Sequence, residues 1–183
     1  AGFDDRWRIG KAGSRHPRQG LVLIPYALPP ELTIDGAAAP KEKTMIGYTM
    51  DRLEVGQQAS FSKTISESDV YLFAGISGDF NPAHINQAYA EKTAFKTRIA
   101  HGMLSAGFIS TVIGCQLPGP GTIYVSQTLN FRAPVAIGDT IMATAEVTEI
   151  LTEKKRVRLK TICTNQEGKE VLVGEALVSP PRG

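Results

Sequence analysis

An uncharged segment from His101 to Leu117 restricts the fold of this chain more than any other feature. It contains no Asp, Glu, Lys or Arg, and apolar side chains would lie on every side of a helix built from it. A helix without a polar face is stable only in the interior of a domain. The Pro-Gly-Pro-Gly run at 118–121 ends the helix, because proline lacks the amide proton that a helix needs. Other parts of the chain must therefore surround this helix.

The sequence on both sides of the helix supplies strands for that purpose. Short segments that are rich in Val, Ile and Thr, or that alternate apolar and polar residues, are typical of β-strands. Such segments occur at 57–65, 122–132, 139–152, 156–164 and 170–178. Short connections separate the last four and suit antiparallel hairpins. We therefore predict an α+β fold in which one antiparallel sheet wraps around a long central helix.

Shorter elements are predicted between the first strand and the central helix. Ser66 and Asp69 have the residue types and spacing of an N-cap and the third helical residue, and Gly78 suits a helix end. Pro82 disfavours helical geometry at the residue before it. The resulting prediction is a short helix at 70–76, a turn at 79–84 and a second short helix at 87–94.

One side of the central helix is made of small residues. Gly107, Ser110 and Gly114 recur at steps of three and four residues, which places them on one face. We expect this thin face to allow close approach to the sheet. A sheet of this size covers only one side of the helix, so we also expect a homodimer that protects the remainder.

Residues 1–48 are predicted to form an extended or flexible arm, and residues 49–183 a single domain. The arm is rich in proline and basic residues and shows no regular apolar pattern. It begins with Ala1, which would suit a processed leader from organelle import, but Asp4 and Asp5 argue against one because such leaders avoid acidic residues. We expect a cytoplasmic protein, with an organelle matrix as the alternative if the arm is a leader.

Charge and cysteine usage argue against several classes of partner. A net charge of +2 is too small to indicate binding to nucleic acid or to a membrane surface. No apolar run reaches the roughly 18 residues that suggest a transmembrane helix. Cys115 and Cys163 lie in apolar stretches without CxxC spacing and are predicted as small core residues in a reducing compartment. We therefore expect no disulfide between them. With only three histidines, none in ligand spacing with a cysteine, we also expect no metal site.

Two short motifs precede the central helix. The first, Gly-Asp-Phe-Asn-Pro-Ala-His, places Asp79 and His84 five positions apart; the second, Ile-Ala-His-Gly-Met, opens the helix at residues 99–103. Alone, an Asp in a turn is usually a cap, and a single His usually has a structural role. A carboxylate and an imidazole beside a helix N-terminus are, however, suited to proton transfer next to a polarised carbonyl.

The chain resembles the MaoC-like hot-dog hydratases, and among them it is most similar to (R)-specific enoyl-CoA hydratases. The resemblance rests on the run SGDFNPAHINQAYAEKTAFKTRIAHGMLSAG and on QLPGPGTIYVSQTLNFRAPVAIGDT after it. It covers roughly residues 50–180. It implies a hot-dog fold, a homodimer, and reversible hydration of trans-2-enoyl-CoA to (R)-3-hydroxyacyl-CoA without a metal or organic cofactor.

The resemblance gives three residues a direct part in this reaction. It places Asp79 and His84 at the catalytic positions, where an Asp and a neutral His can share one water and exchange the roles of base and acid. Gly102 matches a position whose backbone N–H donates to the thioester oxygen as negative charge develops there. The helix N-terminus adds positive potential at that point, and glycine permits close approach.

Four further residues are assigned to the site. Ser110 matches a family serine near the catalytic pair, which implies a positioning role. Asn81 is predicted to fix the loop through its amide and not to react. His101 and Met103 are assigned to substrate binding. The alternatives are a structural role for His101, as a cap or as the partner of a buried backbone group, and a core position for Met103.

Three other functions remain open from the same residues. A dehydratase of acyl-carrier-protein thioesters would use the same site, because that carrier and CoA present the same phosphopantetheine arm. A hot-dog thioesterase would cleave these substrates with a carboxylate and water, but the Asp-x-Asn-Pro-x-His element is typical of hydratases. A non-catalytic acyl-CoA binder would be expected to lack Asp79 or His84, and this chain has both.

Overall fold

The computed structural model of the chain describes residues 46–182. The predicted arm at 1–48 lies outside the described residues except for its last three. These begin the ordered fold, because Gly47 and Tyr48 donate backbone hydrogen bonds to the carbonyls of Pro120 and Pro118. The elements that follow are a 3-10 turn at Met50–Arg52, β1 Gln58–Thr64, α1 Glu67–Ser77, α2 Pro82–Ile85, α3 Gln87–Ala90, α4 Gly102–Cys115, β2 Ile123–Phe131, β3 Thr140–Leu151, β4 Arg156–Thr164 and β5 Glu170–Ser179.

The five strands form one antiparallel sheet in the order β1-β3-β4-β5-β2. The hairpins β3-β4 and β4-β5 make its centre, as their short connections predict. The first two strands in the chain, β1 and β2, lie at opposite edges, and α4 connects them across the sheet. The predicted α+β architecture, with one antiparallel sheet around a central helix, is confirmed.

The helix α4 packs against one face of this sheet. Phe108, Ile109, Val112 and Ile113 are each at most 7% exposed, and the Phe108 ring meets that of Phe61 on β1 edge to face, with centroids 5.7 Å apart. Full burial of one such side chain contributes roughly 1.5–3 kcal/mol to stability. Alternate residues of the central strands complete the core: Ile141, Ala143, Ala145, Val147, Val157, Leu159 and Cys163.

The small residues of α4 face away from the sheet, so the prediction of their close approach to it is wrong. Ser110 is exposed, and a Cβ added to Gly107 or Gly114 would meet no atom of the described chain within 4 Å. The physical reason is that the large side chains on the opposite side bury much more apolar area against the strands than glycine and serine would. The thin face of α4 is open in the protomer.

The start and end of α1 agree with the sequence prediction. Ser66 accepts a hydrogen bond from the Asp69 backbone, and the Asp69 carboxylate accepts one from the Ser66 backbone, which completes a capping box. Gly78 ends the helix with a φ of 77°, in the left-handed region that glycine adopts without strain.

The segment after α1 contains more helix than the predicted turn. Residues 79–81 are irregular, but Pro82 begins α2, so the prediction of a turn is wrong for 82–84. Proline is favoured at the first helical position because its φ is already helical and its missing N–H has no helical partner there. The Asn81 side chain accepts a hydrogen bond from the Ala83 backbone and caps the helix. The second short helix, α3, ends at Ala90, before the predicted 94.

The two cysteines lie in different surroundings. Cys163 is buried, and burial raises the pKa of its thiol to about 12, so it acts as a small core side chain as predicted. Cys115 is exposed at the last residue of α4, and its predicted core position is wrong. It faces an open surface cavity that Tyr48 and Arg52 also line, instead of the sheet. Within residues 46–182, no helix has the length and apolar character needed to cross a membrane.

Candidate active site

Asp79, His84 and His101 meet beside the N-terminus of α4. One carboxylate oxygen of Asp79 and one ring nitrogen from each histidine all lie within 4.8 Å of one another. Asp79 is exposed, His84 is half-buried and His101 is buried. The structure thus brings the two sequence motifs together and places a carboxylate that water can reach against two imidazoles.

Three hydrogen bonds hold Asp79 in place. Its backbone N–H donates to the Ser77 hydroxyl at 3.2 Å, and its Oδ1 accepts from the Asn81 N–H at 3.1 Å. Its backbone carbonyl accepts from His101 Nε2 at 2.9 Å. The backbone of Asn81 thus orients the Asp79 carboxylate, while its side-chain oxygen accepts from the Ala83 N–H at the start of α2. The second carboxylate oxygen of Asp79 is left to bind a water or a substrate group.

A backbone carbonyl determines the proton position on His84. Nδ1 of His84 lies 2.8 Å from the carbonyl oxygen of Ile99. A carbonyl can only accept a hydrogen bond, so Nδ1 carries the proton and Nε2 of the neutral ring carries the lone pair. In this tautomer, Nε2 is ready to accept a proton from a bound water.

His101 contacts both of the other two residues of the cluster. Its ring lies against that of His84, with centroids 3.9 Å apart, and against Phe73 at 4.9 Å. It is 2% exposed, and its Nε2 satisfies the Asp79 carbonyl. These contacts favour the structural role over substrate binding. His101 precedes α4 as its N-cap residue, but its side chain makes no capping hydrogen bond.

Gly102 begins α4 and borders the site. The first N–H groups of a helix have no acceptor within the helix, and the helix dipole makes this end positive. A Cβ at this position would lie 2.6 Å from an edge carbon of the Phe131 ring, which is closer than carbon atoms approach in proteins. A side chain at this position would therefore require the Phe131 ring, which is 54% exposed, or the helix start to shift.

A cavity of about 460 Å³ opens at this point. His84 and Gly102 both line it, so the imidazole and the positive helix end face the same space. Met103, which is 53% exposed, and Phe131 contribute apolar walls, consistent with the predicted binding role of Met103. Mostly apolar cavities with a few polar groups are typical of small-molecule sites.

Comparison with known proteins identifies the family. The sequence pattern of the MaoC like domain matches residues 51–171. The chain belongs to the MaoC-like family. This confirms the resemblance found in the sequence motifs.

This MaoC-like domain has close relatives with assigned names. It is 60% identical to an (R)-specific enoyl-CoA hydratase of Rhodospirillum rubrum over 137 residues, which cover 75% of this chain and 94% of the relative. It is 53% identical to a 3-hydroxybutyryl-CoA dehydratase of Methylorubrum extorquens, over 71% of this chain and 82% of the relative. The unliganded R-hydratase PhaJ1 of Pseudomonas aeruginosa superimposes with a TM-score of 0.72 and 50% identity, over 75% of this chain and 88% of that structure.

The MaoC-like domain does not bring Ser110 to the cavity. Ser110 is exposed on the open face of α4 and lies about 12 Å along the helix axis from Gly102, at 1.5 Å per residue. Ser105 lines the cavity instead, and its buried hydroxyl has no hydrogen-bond partner within residues 46–182. Sequence reasoning missed Ser105, although its spacing of three residues from Gly102 places both on one side of the helix.

The three clustered side chains could also be considered as metal ligands. Their separation would allow it, but Nδ1 of His84 and Nε2 of His101 are both hydrogen-bonded to backbone carbonyls. The remaining nitrogen of His101, Nδ1, is buried and without a partner in the described part of the chain. These hydrogen bonds use one nitrogen of each ring and leave the other available, as in many metal-binding histidines, so independence from metal remains a prediction of the sequence.

Proposed function

We propose that this MaoC-like domain catalyses the reversible hydration of trans-2-enoyl-CoA to (R)-3-hydroxyacyl-CoA. One observation carries the proposal: the Asp79 carboxylate and the lone-pair tautomer of His84 meet at the N-terminus of α4, where Gly102 is the first residue. The relatives at 60% and 53% identity have names that describe this hydration and a dehydration of the same kind.

The catalytic pair would act on a single water. Asp79 and His84 Nε2 orient the water, and one of them takes a proton from it as its oxygen attacks C3 of the enoyl thioester. A proton is returned to C2, so water is added across the double bond and no net proton is consumed. One ring nitrogen of His84 lies within 4.8 Å of a carboxylate oxygen of Asp79, so one water can contact both side chains.

The start of α4 would stabilise the charge that this attack creates. Addition at C3 moves electron density through C2 onto the thioester oxygen, which becomes enolate-like. The Gly102 N–H and the positive end of α4 face the same cavity as His84. Donors that are already oriented toward developing charge stabilise a transition state more than water does, because they need no reorganisation.

The exposed apolar surface supports a homodimer as part of this proposal. Leu72, Ile76 and Phe80, in and just after α1, are 64%, 86% and 58% exposed. Ile123 and Val125 on the edge strand β2 are 66% and 46% exposed. Groups of exposed large apolar side chains such as these are typical of interaction sites. A second copy would cover these residues and the open face of α4, which light scattering of the purified protein at several concentrations tests; a fully active monomer would contradict it.

The reaction is tested with crotonyl-CoA and the purified protein. We expect loss of the enoyl-thioester absorbance without release of free thiol, and an (R)-3-hydroxy product by chiral chromatography. Thiol release would indicate the thioesterase alternative, and binding without either change would indicate the non-catalytic binder. The matching enoyl thioester of an acyl-carrier protein decides between the two carriers. Preincubation with EDTA is expected to leave the rate unchanged.

A further inference from the structure

Arg98 connects α1 to the segment that leads into α4. Its Nη2 lies 2.7 Å from Oε1 of Glu67, at the first residue of α1, and its Nη1 donates to the Tyr71 hydroxyl at 3.0 Å. The Arg98 side chain is 17% exposed and Glu67 is 55% exposed, so the guanidinium is the more shielded partner. The hydrogen bond to Glu67 raises the pKa of Arg98, which stays charged. A planar guanidinium with two partners is held in a fixed orientation.

The residue directly after Arg98 controls the tautomer of His84. The Ile99 carbonyl accepts the proton of His84 Nδ1, and the Ile99 N–H donates to the Ala83 carbonyl at 3.2 Å. Ile99 thus contacts the helix that carries His84 through both of its backbone groups. Any displacement of this peptide would move or release the imidazole.

The backbone around Ile99 has little regular structure of its own. The segment 91–101 contains turns and bends, and its backbone is tied to the sheet side at Ile99, which bridges Ala136, and at the Ala100 N–H, which donates to the Val135 carbonyl at 2.8 Å. A contact on the other side of the segment adds to these bonds in fixing the Ile99 carbonyl. Arg98 provides one from α1, whose first turn is fixed by its own capping box. The Tyr71 hydroxyl, 3.5 Å from the Ile85 carbonyl, extends the connection toward the end of α2.

We propose that Arg98 is a positioning residue, which holds the Ile99 carbonyl against His84 Nδ1 and so keeps the lone pair on Nε2. It does not line the cavity, its guanidinium contacts Glu67 and Tyr71, and it acts through the neighbouring peptide. For the reaction itself, this inference rests on the proposed hydratase function. Its structural part, the tautomer of His84, does not.

The first experiment compares Arg98→Met with Lys92→Met, an exposed control on the same segment. Misplacement of a catalytic group by about 1 Å costs on the order of 100-fold in rate. We therefore expect Arg98→Met to lower kcat for crotonyl-CoA hydration by about 10- to 100-fold with a much smaller change in KM. Lys92→Met should retain the wild-type kcat. Arg98→Lys retains the charge and one contact and should recover part of the loss.

A second experiment determines the tautomer of His84 directly. Nitrogen-15 NMR of the histidine rings, with His84 assigned from the spectrum of His84→Gln, distinguishes a protonated Nδ1 from a protonated Nε2 without any substrate. We expect one fixed tautomer in the wild type and a mixture in Arg98→Met. Tyr71→Phe removes one contact of Arg98 with little risk to folding and should give an intermediate result.

The outcomes separate the two proposals. A folded Arg98→Met protein with wild-type kcat and an unchanged tautomer overturns the positioning role. A fall in kcat that Lys92→Met shares, or that leaves the His84 tautomer fixed, also overturns it, because a general loss of stability then explains the rate. If the wild type hydrates no enoyl thioester, the proposed function fails, while the NMR comparison still decides whether Arg98 fixes His84.

Discussion

The sheet with α4 and the catalytic segment, residues 78–102, are held in place by different kinds of contact. The sheet has long, regular backbone pairings, and α4 adds large apolar side chains that are almost fully buried. The catalytic segment has only short helices, and single polar contacts such as His84 to Ile99 and His101 to Asp79 fix its side chains. Many weak apolar contacts tolerate small shifts, whereas a single hydrogen bond defines a direction.

This difference separates stability from activity. A change in the core is expected to alter the free energy of unfolding and leave the chemistry of folded molecules intact. A change in the catalytic segment is expected to have the opposite effect, since exposed groups such as Asp79 contribute little to packing. Each of the four predictions below tests whether stability and activity can be changed independently.

The largest expected effect is on activity alone. Asp79→Asn and His84→Gln each retain the size of the side chain and remove its ability to exchange a proton. General acid–base catalysis contributes roughly 100- to 10,000-fold, and kcat for crotonyl-CoA hydration should fall by that factor in each variant. Thermal unfolding should change by only a few degrees. Near-normal kcat in either variant would remove the pair from the mechanism.

The next effect is on stability alone. Leu159 on β4 is fully buried in the core against α4, and Leu159→Ala should lower the free energy of unfolding by about 2–5 kcal/mol. Urea denaturation measures the loss. Lys160→Ala, an exposed neighbour on the same strand, is the matched control and should change stability by less than about 0.5 kcal/mol. A large fall in kcat of still-folded Leu159→Ala protein would contradict the separation.

Gly102→Ala should lower both activity and stability, because Gly102 belongs both to the catalytic segment and to α4. The added Cβ would lie 2.6 Å from the Phe131 ring, so the ring or the helix start must shift. We expect kcat to fall by about 10- to 100-fold as the N–H moves from the thioester oxygen, together with a loss of stability. Gly75→Ala, where an added Cβ meets no described atom, should be neutral or slightly stabilising in α1. Equal behaviour of the two variants would refute the close contact.

The smallest expected effect concerns pH and the start of α1. The hydrogen bond from Lys63, with those from Ser66, lowers the pKa of Asp69 from 3.8 to about 2. A lowered pKa stabilises the fold at pH values above 3.8, and this stabilisation is lost as the pH falls toward 2. Asp69→Asn should therefore cost on the order of 1 kcal/mol at pH 7, since solvent weakens the ion pair. When denaturation is measured from pH 7 to 3, the difference in free energy of unfolding between Asp69→Asn and the wild type should shrink below pH 4. A difference that stays constant would show that the ionised carboxylate is not its source.

Local patterns in the sequence predict the elements well. The uncharged segment predicts α4 to within two residues at its C-terminus, and Ser66 with Asp69 predicts the start of α1. The strands follow from their composition and short connections, because alternation and turn residues act over a few positions. Asp79 lies just before α2 and His84 lies within it, so their meeting also follows from a local motif.

Orientation and long-range contacts are not determined by local pattern. The small residues of α4, Ser110 among them, lie on one face, but the sequence does not tell whether that face meets the sheet or the open side. The large apolar side chains of α4 determine which face meets the sheet, because they bury the most area there. That buried area depends on the whole fold. The contact of Arg98 with Glu67 spans thirty-one positions and requires the complete loop before it can be recognised.

The contact between Gly102 and Phe131 also constrains how related sequences can diverge. A side chain at 102 requires the Phe131 ring or the helix start to shift. We therefore expect a smaller residue at 131 to lower the cost of a side chain at 102. A substitution at one position then changes what the other accepts, which makes the two sites epistatic although they lie in separate elements of the chain.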